Sequence, residues 1–267
     1  MAPIKTIPTA FIVFLGLCSQ ALAAKDFDYY SLVVMWPPSY CYQTKAGCCL
    51  PTTGKPAKDF FITGLQTYDS TTGAAVTKCK KSNFYISELS DLTDELNAYW
   101  STIKCPSSNA HRYWKNSWKT YGVCSGLSQH DYFKTALELR SKLNLLSIFT
   151  SNGIVPSGEN FYKVEHIKKV IEENLGVTVG IQCSKNLWDE WQLYQLHICF
   201  NKDASKIISC PQLKSYTCGD EVTFGLFNYD MLSPAPETIR MYTGEGSAVI
   251  GHKFILGKDV ESSFLKL

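Results

Sequence analysis

One stretch of the sequence, Cys105–Cys124, concentrates side chains that could bind an anion or move a proton. It reads CPSSNAHRYWKNSWKTYGVC, with a histidine, an arginine and two lysines between two cysteines. Tyr113, Trp114 and Trp118 have helical spacing, and Gly122 marks a helix end. The pattern predicts a short helix that disulfides hold in place, with its polar positions facing a cleft.

The titratable side chains each have a chemical and a structural interpretation. His111 could serve as an acid or base, but a solvated residue at a helix entry explains it as well. Lys115 and Lys119 could attract an anion or form a solvated face. Asp189 and Glu190 could share acid–base work, yet they lie away from this stretch, and we expect surface charge. We expect the remaining histidines to be structural or exposed: His130 in a loop, His166 on a helix surface, His197 in a strand and His252 in the tail.

Residues 1–24 have the features of a secretory signal peptide. Lys5 precedes the apolar run Ala10–Leu17, and Ala21-Leu22-Ala23 suits a cleavage site. The run is too short to span a bilayer, and we expect no membrane association. The formal net charge is +2, and it falls by one when Lys5 is removed. With only three arginines, such a chain attracts nucleic acid weakly, and we expect no specific nucleic-acid partner.

Cysteines indicate an oxidising compartment. Of eleven cysteines, Cys18 leaves with the signal peptide, and an even number in a secreted chain predicts disulfides. Zinc is the competing interpretation, but the adjacency of Cys48 and Cys49 and the wide gaps elsewhere do not match paired zinc-ligand spacing. We therefore predict five disulfides, no metal and no cofactor. The sequence alone does not give their pairing among Cys41, Cys48, Cys49, Cys79, Cys105, Cys124, Cys183, Cys199, Cys210 and Cys218.

The surrounding elements predict a mixed fold. Strand patterns lie at both ends and helical periodicity lies in the middle. This order favours an α+β class, with an antiparallel sheet packed against several helices. The predicted strands are Tyr29–Pro37, ending in a turn at Pro37-Pro38, Val177–Cys183, Tyr194–Phe200 and Glu221–Phe227. The predicted helices are Ser87–Trp100, Tyr132–Leu146 and Phe161–Leu175, and Trp36, Trp114 and Trp118 are expected in the core.

Five motifs, in order, resemble those of the ribonuclease T2 family, which includes the plant S-like and S-locus ribonucleases. The Cys105–Cys124 stretch is similar to the family's F-W-x-H-E-W-x-K-H-G-x-C segment. The other four are Met35–Cys41 (Q-W-P-x-S-Y-C), Phe60–Thr67 (F-x-I-H-G-L-W-P), Asn152–Ser157 (G-I-x-P-S) and the Cys199/Cys210 ladder. The resemblance covers roughly residues 29–227. We therefore predict a ribonuclease T2-like domain over residues 25–227 and a C-terminal extension over 228–267.

The resemblance implies RNA cleavage through a 2′,3′-cyclic phosphate, with histidines moving protons and Glu and Lys supporting the charged intermediate. Here Thr63 replaces the first histidine, and Asn116 and Tyr121 replace the other two. Ser117 and Thr120 stand where the Glu and Lys belong. Threonine and asparagine do not titrate near neutral pH, and tyrosine has a pKa of about 10. We therefore predict no catalytic residues, and a chain that is not an enzyme.

The resemblance implies two further features. Gln66 replaces a tryptophan on which a base stacks, and Met35 replaces a base-contacting glutamine, so RNA binding is expected to weaken. The implied disulfides are Cys41–Cys48, Cys49–Cys105, Cys79–Cys124, Cys183–Cys218 and Cys199–Cys210.

These observations give one leading functional hypothesis and two alternatives. The leading hypothesis is a vegetative storage protein without ribonuclease activity, located in the vacuole or outside the cell. The first alternative is a defence or ligand-binding protein that uses Thr63, Gln66, Asn116, Ser117, Thr120 and Tyr121 as a neutral site for a small molecule. The second is a residual or new enzymatic activity built on Tyr121, Lys119 or His111.

Overall fold

A mixed β-sheet organises the protein. The computed structural model describes residues 26–43, 47–211 and 217–232. Within them, seven strands form one sheet in which β5, the longest, pairs antiparallel with β1, β4 and β6 and parallel with β7. The strands are β1 (Tyr29–Met35), β2 (Phe61–Tyr68), β3 (Phe161–Lys163), β4 (Gly180–Lys185), β5 (Trp191–Asn201), β6 (Ile207–Ile208) and β7 (Glu221–Thr223).

Helices pack against one face of this sheet. Leu32 of β1, Leu65 of β2 and Leu196 of β5 lie on that face, where they are fully buried in one core with residues of the helices. The helices are α1 (Pro37–Tyr42), α2 (Thr93–Tyr99), α3 (His111–Thr120), α4 (Gln129–Leu143), α5 (Leu145–Ser151) and α6 (Val164–Leu175). The predicted α+β class, with a sheet packed on several helices, is confirmed.

Local side-chain chemistry explains several element boundaries. α4 begins three residues before the predicted start because the Ser128 hydroxyl accepts a hydrogen bond from the Asp131 amide at 3.0 Å. It ends before Asn144, which is left-handed (φ 43°) and separates α4 from α5. α6 ends at Gly176 (φ 68°), a conformation that glycine adopts without strain.

Other predicted elements differ from the observed ones. The predicted helix Ser87–Trp100 is divided into a 3₁₀ turn, Ile86–Leu89, and α2, and the intervening Ser90 and Asp91 are residues that favour turns over helix interiors. The predicted helix over 161–175 begins with β3, which pairs with β7. Pro37-Pro38 does not form a turn but starts α1, because proline is well suited to the first helical positions.

Disulfides join distant parts of the fold. Five are present in the described part of the chain, and they are the pairs that the resemblance implied: Cys41–Cys48, Cys49–Cys105, Cys79–Cys124, Cys183–Cys218 and Cys199–Cys210. The pairs Cys49–Cys105 and Cys79–Cys124 hold the two ends of the α3 stretch. They fix the stretch to chain segments 56 and 45 residues away.

The domain boundaries remain predictions. The predicted signal peptide, residues 1–24, lies outside the described residues, as does most of the predicted extension, residues 228–267, apart from a stretch that includes a 3₁₀ turn at Tyr229–Leu232. Over the ranges that the structure describes, no helix combines the length and the apolarity that crossing a membrane requires.

Candidate functional site

Thr63 occupies an irregular position in β2. The β1–β2 register pairs Val34 with Ile62 and Val33 with Gly64, so Thr63 is the extra residue of a β-bulge. Its side chain is exposed, and its hydroxyl donates to the Val33 carbonyl at 3.2 Å. Bulges redirect side chains and recur beside active sites. The position that the resemblance assigns to a catalytic histidine therefore projects from a local irregularity of the sheet.

α3 is held by its aromatic face. Trp114 and Trp118 are buried, and their indole N–H groups donate to the carbonyls of Trp100 and Asn83 at 2.8 and 2.9 Å. Gly122 follows this face closely, since a Cβ there would lie 2.2 Å from Cε3 of Trp118. The predicted core position of Trp36, Trp114 and Trp118 is confirmed. Asn116, Lys115 and Lys119 lie on the exposed side of the helix.

Ser117 does not face the solvent with Asn116. It is 7% exposed, and its Oγ lies 2.8 Å from Oη of Tyr132 on α4. Tyr132 in turn donates to the Leu65 carbonyl at 2.6 Å. Burial raises the pKa of Tyr132, and the nearby phenols of Tyr30 and Tyr121 raise it further. The Tyr132 hydroxyl therefore stays protonated and able to donate.

The remaining substituted positions lie close to these two elements. Thr120 and Tyr121 are half-buried at the end of α3, and the Thr120 carbonyl accepts a hydrogen bond from the Lys78 amide at 2.8 Å. Gln66 is half-buried on β2, and its Oε1 accepts from the Tyr68 hydroxyl at 2.9 Å. Because α3 packs against β2, the structure brings both substituted segments to one edge of the sheet. Their loss of catalytic function remains a prediction.

A known protein family matches most of this sequence. The sequence model of the ribonuclease T2 family matches residues 27–210, which include both substituted segments and four of the five disulfides. The chain belongs to the ribonuclease T2 family. The resemblance that the motifs indicated is thereby confirmed.

Members of this family resemble the chain over nearly their whole length. Intracellular ribonuclease LX of Solanum lycopersicum is 39% identical over 227 residues, which cover 84% of this chain and 94% of that protein. The structure of RNase NT in complex with 5′-AMP is 38% identical, with a TM-score of 0.72, and the match covers 76% of this chain and all of that one. A ribonuclease-like storage protein of Panax ginseng is 28% identical, over 77% of this chain and 85% of that protein.

The prediction that this chain is not an enzyme is wrong by this comparison. The more similar relatives of the family are named ribonucleases, at 38–39% identity over most of the chain, and such similarity points to an enzyme. The prediction rested only on the exchanged side chains. Removing proton-transfer groups leaves the catalysis that comes from binding and from fixed hydrogen-bond donors, which amounts to about 10³–10⁴-fold over water in a serine protease.

Other titratable groups have structural contacts. The His111 ring packs on Trp114 at the start of α3, with 5.1 Å between ring centroids. His197 Nε2 lies 3.2 Å from Oε1 of Gln182. His130, which was predicted in a loop, lies in the first turn of α4 because Ser128 caps the helix earlier. His166 is exposed on α6, as predicted, and His252 lies outside the described residues.

The carboxylate pair also lies at the surface. Asp189 and Glu190 are exposed in the β4–β5 turn, where they contact Lys185 at 2.7 Å and Asn186 at 2.8 Å. The predicted surface role of both is confirmed. Among the described residues, no three His, Cys, Asp or Glu side chains are grouped to hold a metal ion.

Sequence reasoning missed Tyr132 as a residue of the site. It was named only as the first residue of the predicted helix Tyr132–Leu146. A weak signal was present, because a buried tyrosine requires a hydrogen-bond partner for its hydroxyl. The partners, Ser117 and Leu65, are 15 and 67 residues away in the sequence, and no local pattern identifies them.

Proposed function

We propose that this chain is a secretory-pathway ribonuclease of strongly reduced rate that serves mainly as a storage protein, in the vacuole or outside the cell. The observation that carries the proposal is the identity of the three substituted residues, Thr63, Asn116 and Tyr121. None of them is an efficient proton-transfer group at neutral or acid pH.

The same residues support a reduced activity. The side-chain amide of Asn116 is exposed and can donate hydrogen bonds to a phosphate, whereas the one hydroxyl hydrogen of Thr63 is donated to the Val33 carbonyl. Fixed donors stabilise developing charge without exchanging a proton. Each missing proton-transfer group lowers the rate by about 10²- to 10⁴-fold, so cleavage is expected to be far slower than in relatives with histidines.

Two observations support the storage role. The chain has a relative that is named as a ribonuclease-like storage protein. Five disulfides in the described part of the chain brace the scaffold and fit a protein of the secretory pathway. A stable, nearly neutral scaffold meets the physical requirements of a reserve protein.

Restoring the histidines tests the reduced activity. The variant Thr63→His/Asn116→His/Tyr121→His should cleave RNA about a hundredfold faster or more than the natural chain. The matched control, Lys168→His/Lys169→His, adds histidines to the exposed side of α6, outside both site segments, and should leave the rate unchanged. All proteins are recombinant and repurified, because a trace nuclease would mask the difference. A natural chain as fast as the restored variant would contradict the proposal.

The abundance of the protein tests the storage role separately. Its amount in the tissue that makes it should rise with nitrogen supply and fall when nitrogen is withdrawn. Quantitative immunoblotting across such a cycle measures this. A low and constant amount would remove the storage role and leave the reduced activity standing.

A further inference from the structure

Three groups of different elements form a continuous hydrogen-bonded chain inside the protein. Tyr132 is fully buried in the first turn of α4. Its hydroxyl has one hydrogen, which is donated to the Leu65 carbonyl at 2.6 Å, because a carbonyl can only accept. The Ser117 hydroxyl, 2.8 Å away, must then be the donor to Tyr132. The direction of the chain is therefore Ser117 to Tyr132 to Leu65.

The hydrogen bonds from Ser117 through Tyr132 to Leu65 join the two segments of the site. Leu65 lies two residues after Thr63 on β2, and Ser117 directly follows Asn116 on α3. The Tyr132 ring is fixed by packing, with Trp118 and Trp100 at 5.8 and 6.4 Å between ring centroids. One side chain that belongs to neither element, Tyr132, therefore bridges β2 and α3.

Ser117, which begins this series of hydrogen bonds, stands at a position of the family's active-site motif. The family motif has a glutamate there, and that residue is assigned to support a charged intermediate. In this protein the side chain is 7% exposed and its hydroxyl is bonded to a buried phenol. A buried hydroxyl with a partner avoids the cost of an unsatisfied polar group. Ser117 is thus part of the interior contact between the elements.

We propose that Tyr132 is a positioning residue that sets the spacing of the two site segments through Ser117 and Leu65. The proposal deepens the proposed function, on which its catalytic consequence rests. Small changes in the distance between groups that act together reduce a rate strongly, by about a hundredfold for 1 Å. The structural part, a coupling of β2 to α3, is independent of activity.

Hydrogen exchange tests the structural part in the natural chain. Tyr132→Phe should speed amide exchange at least severalfold in peptides of both β2 and α3. Ser117→Ala should do so in α3 alone, because the bond from Tyr132 to Leu65 remains. Ile167→Val, a buried substitution on α6, is the control for general loss of stability. Equal acceleration of all peptides in the three variants would overturn the proposal.

Kinetics test the catalytic part in the histidine-restored background. There Tyr132→Phe should lower kcat at least tenfold and leave KM within twofold, whereas Ile167→Val should lower only Tm. A Tyr132→Phe variant with unchanged kcat would overturn the positioning role. If the restored background shows no added activity, the proposed function fails, and the exchange experiment still decides whether Tyr132 couples the segments.

Discussion

Thr63 and Asn116 place neutral hydrogen-bonding groups where the family motifs have imidazoles. The Thr63 hydroxyl donates its only hydrogen to the Val33 carbonyl, so the exposed amide of Asn116 is the one of the two that can donate to a phosphate. An amide donor can stabilise charge on a phosphate, but neither side chain can take up or release the protons of the reaction. At the scale of residues, the structure is therefore consistent with slow cleavage.

His130 forms two contacts with carboxylates that affect the stability of the fold. Nε2 of His130 lies 2.9 Å from Asp91, and Nδ1 lies 3.4 Å from Asp131. Hydrogen bonds to Asp91 and then Asp131 raise the pKa of His130. Hydrogen bonds with His130 and with Ser128 lower the pKa values of Asp91 and Asp131, respectively.

These contacts make the stability of the fold depend on pH. The pKa of His130 in the folded state is raised above its unfolded value of about 6.5. Its contribution to the free energy of unfolding is therefore complete below about pH 6.5 and is lost as the pH rises through the folded-state pKa. The stabilisation is lost again at acid pH, well below about pH 4, where Asp91 and Asp131 become protonated, because their pKa values are lowered in the folded state. His130→Gln should therefore lower Tm at pH 5 and leave it unchanged at pH 9. Thermal unfolding at both values measures this, with His166→Gln as control. An equal loss at both values would contradict the expected charge effect.

At the scale of elements, aromatic spacing predicted α3, and alternation predicted β5, because both patterns are local. The division between Ile86–Leu89 and α2 was not predicted, because Leu89 and Leu96 are both buried and keep the apolar stripe through the break. The bulge at Thr63 was also missed. It depends on pairing between β1 and β2, and Gly64 is only a weak local signal, since a glycine inside a strand often marks a bulge.

Arg140 links α4 to α2 and to the segment that leads into β2. Its guanidinium forms an ion pair with Asp59, lies 3.6 Å above the centre of the Tyr99 ring and donates through Nε to the Phe60 carbonyl at 3.3 Å. The Arg140 side chain is 12% exposed. A lysine cannot make these planar contacts together.

Arg140→Lys should therefore destabilise the protein. We expect a loss of roughly 1–3 kcal/mol in the free energy of unfolding, from a hydrogen bond to a charged group and a cation–π contact. Urea denaturation measures it. Lys134→Ala removes an exposed pair with Glu138 on the same helix and should change stability by less than about 0.5 kcal/mol. If the two losses were equal, Arg140 would have no special role in docking α4.

At the scale of the whole molecule, disulfides link segments that lie far apart in the sequence. The pairing was available from the resemblance and not from the spacing, because ten cysteines permit many pairings. Cys49–Cys105 closes a separation of 56 residues and connects the segment after α1 to the start of the α3 stretch. Cys41–Cys48 closes only 7 residues. The two bonds begin at almost the same place in the chain and differ chiefly in the length of chain they close.

That difference predicts unequal contributions to stability. Closing a loop restricts the unfolded chain more when the loop is longer, by about 4 kcal/mol for the 56-residue separation and about 2 kcal/mol for the 7-residue one in the chain-entropy model. Cys49→Ala/Cys105→Ala should therefore lower the free energy of unfolding by roughly 2 kcal/mol more than Cys41→Ala/Cys48→Ala. Urea denaturation of both double variants, each with its other cysteines oxidised, measures the difference. Equal losses would mean that native contacts near these cysteines, and not restriction of the unfolded chain, account for the stabilisation.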